Sequence, residues 1–339
     1  MADVQIRQAG VDDVPVLLDL IHTAFAEYAG YLDPPSGAPR ETLASLQGYF
    51  AAERALLATV DGAPAGCVFY VPQDDMLYVH RLAVLPAWRR HGIGRALMAA
   101  AEGEGRALGK TAVRIGVRTV LVANKLFYED LGYRIVGLGR HPGYDVITFY
   151  HMEKPLARDA VPASKNMRNI RVVPHDPAWA DMFAEEAAKL HAAFGAELVT
   201  IHHIGSTAIV GIDAKPVIDM LPVVRDINRV DQRNPWLVSL GYEPRGENFI
   251  PGRRYFCKEH DGVRTHHVHV FQAGHPEIDR HVDFCAYLNA HPADAHRYAA
   301  LKRDLAVRFP QDIMGYNEGK TALIRELDAK AAAWKASQP

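Results

Sequence analysis

Cysteine is scarce in this 339-residue chain: Cys67, Cys257 and Cys285 are the only three. They are too few and too scattered for a disulfide framework or a zinc finger, and they read as buried thiols in a reducing compartment. No apolar run is long enough to cross a bilayer. Met1-Ala-Asp-Val has no basic-then-apolar leader pattern. The expectation is a cytoplasmic chain with no membrane partner. Charge of one sign is missing too, since 38 Lys and Arg face 40 Asp and Glu. Acids and bases are interspersed, which argues against DNA as the main partner. No repeat links the two halves. What the chain does have is apolar residues, 49% of it, and a length that predicts two domains with ample cores.

The most informative stretch runs from Leu82 to Met98. Met76 to Leu85 is rich in β-formers, with Leu77, Tyr78, Val79, Leu82 and Val84, and Pro86 ends the strand. From Ile93 the spacing is helical, with Ile93, Leu97, Ala100 and Ala101 on one side. Between strand and helix lie Arg89, Arg90, His91, Gly92 and Gly94, with Arg95 just after. Glycines let backbone approach a ligand closely. The following helix points free N–H groups and its positive end at the loop. Such a loop suits a pyrophosphate. It lacks the third glycine and later acid of a dinucleotide fingerprint, and the Gly-Lys-Ser/Thr of a P-loop.

Arg89-x-x-Gly92-x-Gly94 resembles the acetyl-coenzyme A loop of the GNAT acyltransferase superfamily. Asn124-Lys-Leu-Phe-Tyr128-Glu-Asp-Leu-Gly-Tyr133 is similar to that superfamily's segment after the fifth strand. The predicted order β-α-α-β-β-β-α-β-α-β-β, over about Val4 to Leu156, is also the superfamily's. The resemblance implies acetyl-CoA as cofactor, bound by Arg89, Arg90, His91, Gly92, Ile93, Gly94 and Arg95. It implies pantetheine contacts from Asn124 and from the backbone of Leu82, Ala83 and Val84, which pair like an added strand. Tyr128 matches the tyrosine that protonates the leaving thiolate. Many members carry Glu where Tyr78 stands, so the base is not a carboxylate at that place. His80 shares a strand face with Tyr78, Leu82 and Val84 by alternation, and its ordinary pKa suits a base. The acceptor side points to Tyr28, Tyr31, Asp33, His141 and Tyr144. The implied reaction moves an acetyl group to a primary amine of a small molecule.

Periodicity is lost over 157–169, which reads as a linker between domains at 1–156 and 170–339. Beyond it the reading gives a strand at Ile170–Val173, a helix at Ala178–Phe194 and a strand at Glu197–Ile204. Val263–Val270 alternates as a strand, and helices cover Ala293–Phe309 and Tyr316–Ala333. His203-Ile-Gly-Ser-Thr207, followed by Ala214-Lys-Pro-Val-Ile-Asp-Met-Leu221, resembles the GrpB family of the nucleotidyltransferase fold. In that fold Gly205 and Ser206 would hold phosphates and Asp219 would bind a divalent metal. A second acid is expected two residues on, where Leu221 stands. His267 and His269 share a strand face and with Asp219 make a candidate metal or acid–base cluster, favouring zinc or manganese. Lys215, Arg253, Arg254, Lys258, Arg264, Lys302 and Lys320 are candidates to line a cleft for a nucleotide or other phosphate ligand. Cys285 and Ala286 replace the Arg-Asp usual after Phe284, and Asn289 replaces a common basic residue. These departures favour a ligand- or partner-binding second domain. The alternative is a bifunctional enzyme whose second domain performs metal-dependent nucleotidyl transfer. The expected fold class is α/β (α+β): a GNAT mixed sheet with flanking helices, then a nucleotidyltransferase-like domain with a helical C-terminus.

Overall fold

The computed structural model describes residues 4–156 and 170–338, so the expected linker lies outside the described residues. The chain divides into two compact units, Met1–Pro162 and Ala163–Pro339. Both are mixed α/β, as expected. Among the described residues no helix is long and apolar enough to cross a membrane.

The first unit is a seven-stranded sheet. Its strands are β1 (Val4–Ala9), β2 (Arg54–Val60), β3 (Ala63–Gln73), β4 (Met76–Val84), β5 (Ala112–Arg118), β6 (Arg134–Gly139) and β7 (Phe149–Pro155), ordered β1-β2-β3-β4-β5-β7-β6. Asp61 and Gly62 both have positive φ, which is what the tight β2–β3 turn requires. Helix α1 (Val14–Phe25) packs Leu17, Leu20 and Ile21 on one face of the sheet, against Leu57, Phe69 and Ala83. Helix α2 is short, Leu43–Tyr49. Thr42 starts it: the Ser45 N–H donates to Thr42 Oγ1 at 3.1 Å, and the Thr42 N–H donates to Ser45 Oγ at 2.8 Å. Helix α3 (Ile93–Ala107) buries Leu97, Met98 and Ala101, and helix α4 (Val122–Asp130) follows β5.

Strand β4 departs from simple alternation. β4 pairs with β3 from Met76 to Val84, but the register shifts by one residue opposite Cys67–Phe69. Arg81 sits in the shift with φ of 53°. An extra residue reverses which face each later side chain meets. Ahead of the shift Tyr78 and His80 share one face, with His80 beside Tyr49 and Phe69. Ala83 returns to the α1 core, while Val84 turns toward Leu97 of α3. The bulge corrects the expectation that Val84 shares the face of Tyr78 and His80.

The second unit is a five-stranded sheet ordered β10-β11-β12-β9-β8, from β8 (Leu198–Ile204), β9 (Ile218–Val224), β10 (Tyr242–Pro244), β11 (Arg254–His260) and β12 (Val263–Gln272). β9 and β12 are parallel and the other pairs antiparallel. The strand expected at Ile170–Val173 is reduced to one bridge, Val173 to Ala214. Helices α5 (Ala178–Phe194) and α6 (Asn234–Ser239) cover the face that carries Ile218, Met220, Val268 and Val270. Helices α7 (Pro276–Ala290), α8 (Pro292–Arg308) and α9 (Ile313–Ala336) cover the face of Leu221, Val223 and Phe271. By alternation Asp219, His267 and His269 point to this second face.

Candidate functional sites

A cavity of about 810 Å³ opens into the sheet of the first unit. Its cause is a parting of two parallel strands. β4 and β5 pair only from Met76–Ala112 to Val79–Ile115, while β4 continues to Val84 and β5 to Arg118. Past Val79 and Ile115 the facing edges are free for a ligand's own hydrogen bonds. The slot leads to the loop before α3. Gly92 caps this helix with φ of 82°, a backbone shape glycine adopts without strain. The first bond of the ladder runs from the Ala96 N–H to Gly92 O, so the amides of Ile93, Gly94 and Arg95 precede it. A Cβ on Gly94 would stand 3.4 Å from the Phe127 ring, so helices α3 and α4 close tightly there.

The expected coenzyme residues divide by what their side chains do. Leu82, Val84, Arg90, Gly92, Ile93, Gly94, Arg95 and Asn124 line the cavity. Arg89 lines it too, but its guanidinium is engaged by Glu27 at 2.7 Å, Ala24 O at 3.0 Å and Val84 O at 3.3 Å. It braces the loop against the end of α1. Arg95 pairs with Asp130. His91 turns back on its own loop, with Nδ1 2.8 Å from Arg89 O. The Ala83 side chain is core, leaving only its backbone for a ligand.

Tyr28, Tyr78, His80 and Tyr128 all line the same cavity. Burial, and behind it the hydroxyls of Tyr28 and Tyr78, raise the Tyr128 pKa, so its proton is firmly held. Burial raises Tyr28 as well, and its hydroxyl bonds Asn124. Tyr78 stacks on His80, with ring centres 5.8 Å apart. His80 Nε2 lies 2.8 Å from Glu53 Oε2. An ionised carboxylate only accepts, so Nε2 carries the hydrogen and Nδ1 is the basic nitrogen. Sequence reasoning missed Glu53 because 27 positions separate it from His80. Its place directly before β2, a neighbour of β3, was the available signal. Of the expected acceptor residues, Tyr28 and His141 line the cavity and Tyr31 does not. Asp33 and Tyr144 bond each other.

In the second unit Gly205 ends β8 with φ of 70°, and a Cβ there would meet Asp219 Oδ2 at 2.5 Å. Asp219 Oδ1 lies 2.9 Å from His267 Nδ1 and 3.7 Å from His269 Nε2. Burial alone would raise the Asp219 carboxyl, but the hydrogen bond from His267 and the nearby His269 ring hold it well below the usual range. The three residues offer ligand atoms all within 4.8 Å of one another. The donor set nonetheless opposes a cation at His269. Arg253 Nη1 stands 3.2 Å from His269 Nδ1, and a guanidinium only donates. Nδ1 therefore accepts, Nε2 is the protonated nitrogen, and it has no lone pair for a metal. As built, the cluster is a hydrogen-bonded acid–base group. Leu221, at the place of the second acid, is 0% exposed and part of the core.

The expected basic cleft narrows to fewer residues. Lys258 bonds Glu186 at 2.7 Å, Arg254 bonds Asp231 at 3.0 Å and Arg264 bonds Glu259 at 2.8 Å, so these cations serve the fold. Lys302 is different. It is only 2% exposed, and its ammonium is buried without a hydrogen-bond partner, 4.5 Å from the centre of the Tyr298 ring. Lys215 and Lys320 stand 5.0 and 4.5 Å from the Tyr316 ring. Burial, then repulsion from Lys320 and Lys215 against the pull of Asp213 and Asp219, lowers Lys302 to about 7. Burial, then Lys215, lowers Lys320 to about 8. Tyr298 bonds Ser206, which ties this lysine group to the Gly205–Ser206 turn.

Comparison with known proteins agrees with this two-part reading. A family described as GrpB protein matches residues 169–330, and one described as Acetyltransferase (GNAT) family matches residues 19–133. UPF0157 protein YqkA of Bacillus subtilis is 35% identical over 275 residues, 81% of this chain and 76% of that one. Glutamate-rich protein GrpB of Alkalihalophilus pseudofirmus is 32% identical over 166 residues, 48% of this chain and 95% of that one. The crystal structure of conserved protein GrpB from Enterococcus faecalis shares 37% identity at a TM-score of 0.48, covering 49% of this chain and 100% of that one. The chain therefore belongs to the GrpB family and carries a GNAT acetyltransferase domain ahead of its GrpB domain.

Proposed function

We propose that the first domain transfers an acetyl group from acetyl-CoA to a primary amine of a small molecule. The observation that carries this reading is the slot between β4 and β5, which runs into the free amides at the start of α3. Pyrophosphate suits those amides and the positive end of the helix, with Arg90 beside them. Pantetheine suits the open strand edges at Leu82–Val84, with Asn124 across the cavity. When bound there, acetyl-CoA supplies an activated thioester. His80 Nδ1 takes the proton of the incoming amine, while Glu53 steadies the ring through Nε2. Tyr78 holds the imidazole face. The Tyr128 hydroxyl gives its proton to the departing sulfur, and its raised pKa keeps that proton available at neutral pH. Calorimetric titration with acetyl-CoA tests the reading. Gly92→Glu puts a carboxylate where the pyrophosphate would lie and a side chain on a left-handed backbone. Its affinity is expected to fall more than about tenfold. A folded wild-type chain that gives no heat with acetyl-CoA would refute it.

For the GrpB domain we propose a phosphate-bearing ligand held by Gly205, Ser206 and Lys215, with Lys302 and Lys320 behind them. The buried, unpartnered Lys302 ammonium supports this, since an uncompensated buried cation is costly until an anion arrives. Titration with tripolyphosphate is expected to show binding that Lys302→Met weakens about tenfold or more. The bifunctional alternative needs metal-dependent pyrophosphate release from nucleoside triphosphates. Leu221 and the Arg253–His269 contact both weigh against it.

A further inference from the structure

We propose that the amine acceptor of the first domain also carries an anionic group, an amino-acid-like carboxylate above all, and that Arg118 binds it. The proposal rests on the acetyl-transfer reading above. Arg118 is the last residue of β5, on the stretch that has already parted from β4. Its side chain lines the cavity. Nη2 donates to Pro34 O at 2.7 Å, but Nε is buried with no partner. Three other arginines of the same cavity are matched, Arg81 by Glu41 at 2.6 Å, Arg89 by Glu27 at 2.7 Å and Arg95 by Asp130, while Arg40 and Arg90 line it without an ion pair among the described residues. Among the described residues Arg118 has no such ion pair. Asp33 is the nearby acid, and Tyr144 bonds its carboxylate. Burial accordingly lowers the Arg118 pKa, with only a smaller opposing pull from Tyr144 and Asp33. A half-buried guanidinium that lines a cavity and has no ion pair is a ready receptor for a carboxylate.

Its position fits the acceptor better than the coenzyme. Arg118 is tied to Pro34, in the loop between α1 and α2, whereas the place proposed above for the pyrophosphate is the start of α3. It shares a face of β5 with Gly116, where a Cβ would lie 3.4 Å from the Tyr78 hydroxyl. Two residues along a strand is about 7 Å. An amine beside His80 and Tyr78 and an anionic group at Arg118 thus fall within one small molecule. The acids of the cavity point the same way. Glu27 is the acidic residue that lines it, and Arg89 already holds that carboxylate. Among the described residues the wall offers a polycationic acceptor no unpaired carboxylate, whereas a zwitterion finds Arg118, with Arg40 also on the wall.

The test compares each common amino acid with its own carboxamide, and adds a simple diamine, using the full chain and acetyl-CoA. Thiol release gives kcat/KM. Amino acids are expected to exceed their amides by about 100-fold for the preferred side chain. Arg118→Gln is expected to erase that ratio mainly through KM, with Arg118→Lys restoring part of it. Acetyl-CoA affinity, titrated separately, should stay within about twofold in both variants. Amides or the diamine reacting as well as the acids, no turnover of any of them by a chain that binds acetyl-CoA, or an equal loss for acids and amides in Arg118→Gln, would each overturn the proposal. Failure of the wild type to bind acetyl-CoA would instead remove the acetyl-transfer reading beneath it.

Discussion

At the scale of single residues, the chain spends buried charge in two ways. Most buried ions are matched at once, as Glu186 is by Lys258 and Lys189 with a bond from Tyr242. Lys302 is not, and its titration makes that visible. Its folded pKa of about 7 lies below the ordinary 10.5. Between those values the unfolded chain holds a proton that the folded chain has shed, so stability rises with pH across that window and is flat below it. Anion binding has the opposite sign. A phosphate needs Lys302 and Lys320 charged, so tripolyphosphate affinity should fall as pH rises from about 7 through about 8. Binding at pH 8 should take up protons, read as a heat that changes with the ionisation enthalpy of the buffer. Unchanged affinity between pH 6.5 and 9 would contradict this. Lys302→Met should abolish its share of the proton uptake.

At the scale of elements, local chemistry was legible and distant pairing was not. The Gly92–Gly94 loop and the α3 periodicity stand where adjacent residues put them, because turns and helix starts are decided within a few positions. The bulge at Arg81 was hidden, since an arginine gives no sign that it will adopt a left-handed backbone. The His80–Glu53 and Arg118–Pro34 contacts span 27 and 84 positions, and only the folded sheet brings them together. In the second domain Lys302 was one of seven candidate cleft cations, and nothing in the sequence marked it as the one that α8 buries without a partner. Helix α9 also carries a direct test of packing. Leu327 is 0% exposed in the core with Leu221, Phe271 and Leu288. Leu327→Ala should cost about 2–5 kcal/mol in denaturant unfolding of this domain. A loss under about 1 kcal/mol would mean that α9 is not an integral part of that core.

At the scale of the molecule, each unit encloses what it needs. The cavity is lined from Ala24 to His141, wholly inside the first unit, and the lysine group lies wholly inside the second. Residues 1–162 expressed alone are therefore expected to bind acetyl-CoA within about twofold of the full chain, measured by calorimetry. A much weaker fragment would show that the first unit depends on the second. The parted strands β4 and β5 have one more consequence, for turnover. On the proposed acetyl transfer, their slot and the loop behind it would grip the carrier portion of the donor, which is the same before and after the acetyl group has gone. Spent thiol is then held nearly as firmly as fresh thioester. Departure of the used carrier would pace the cycle, and its accumulation would act as a brake that competes with the donor and eases when the donor is plentiful.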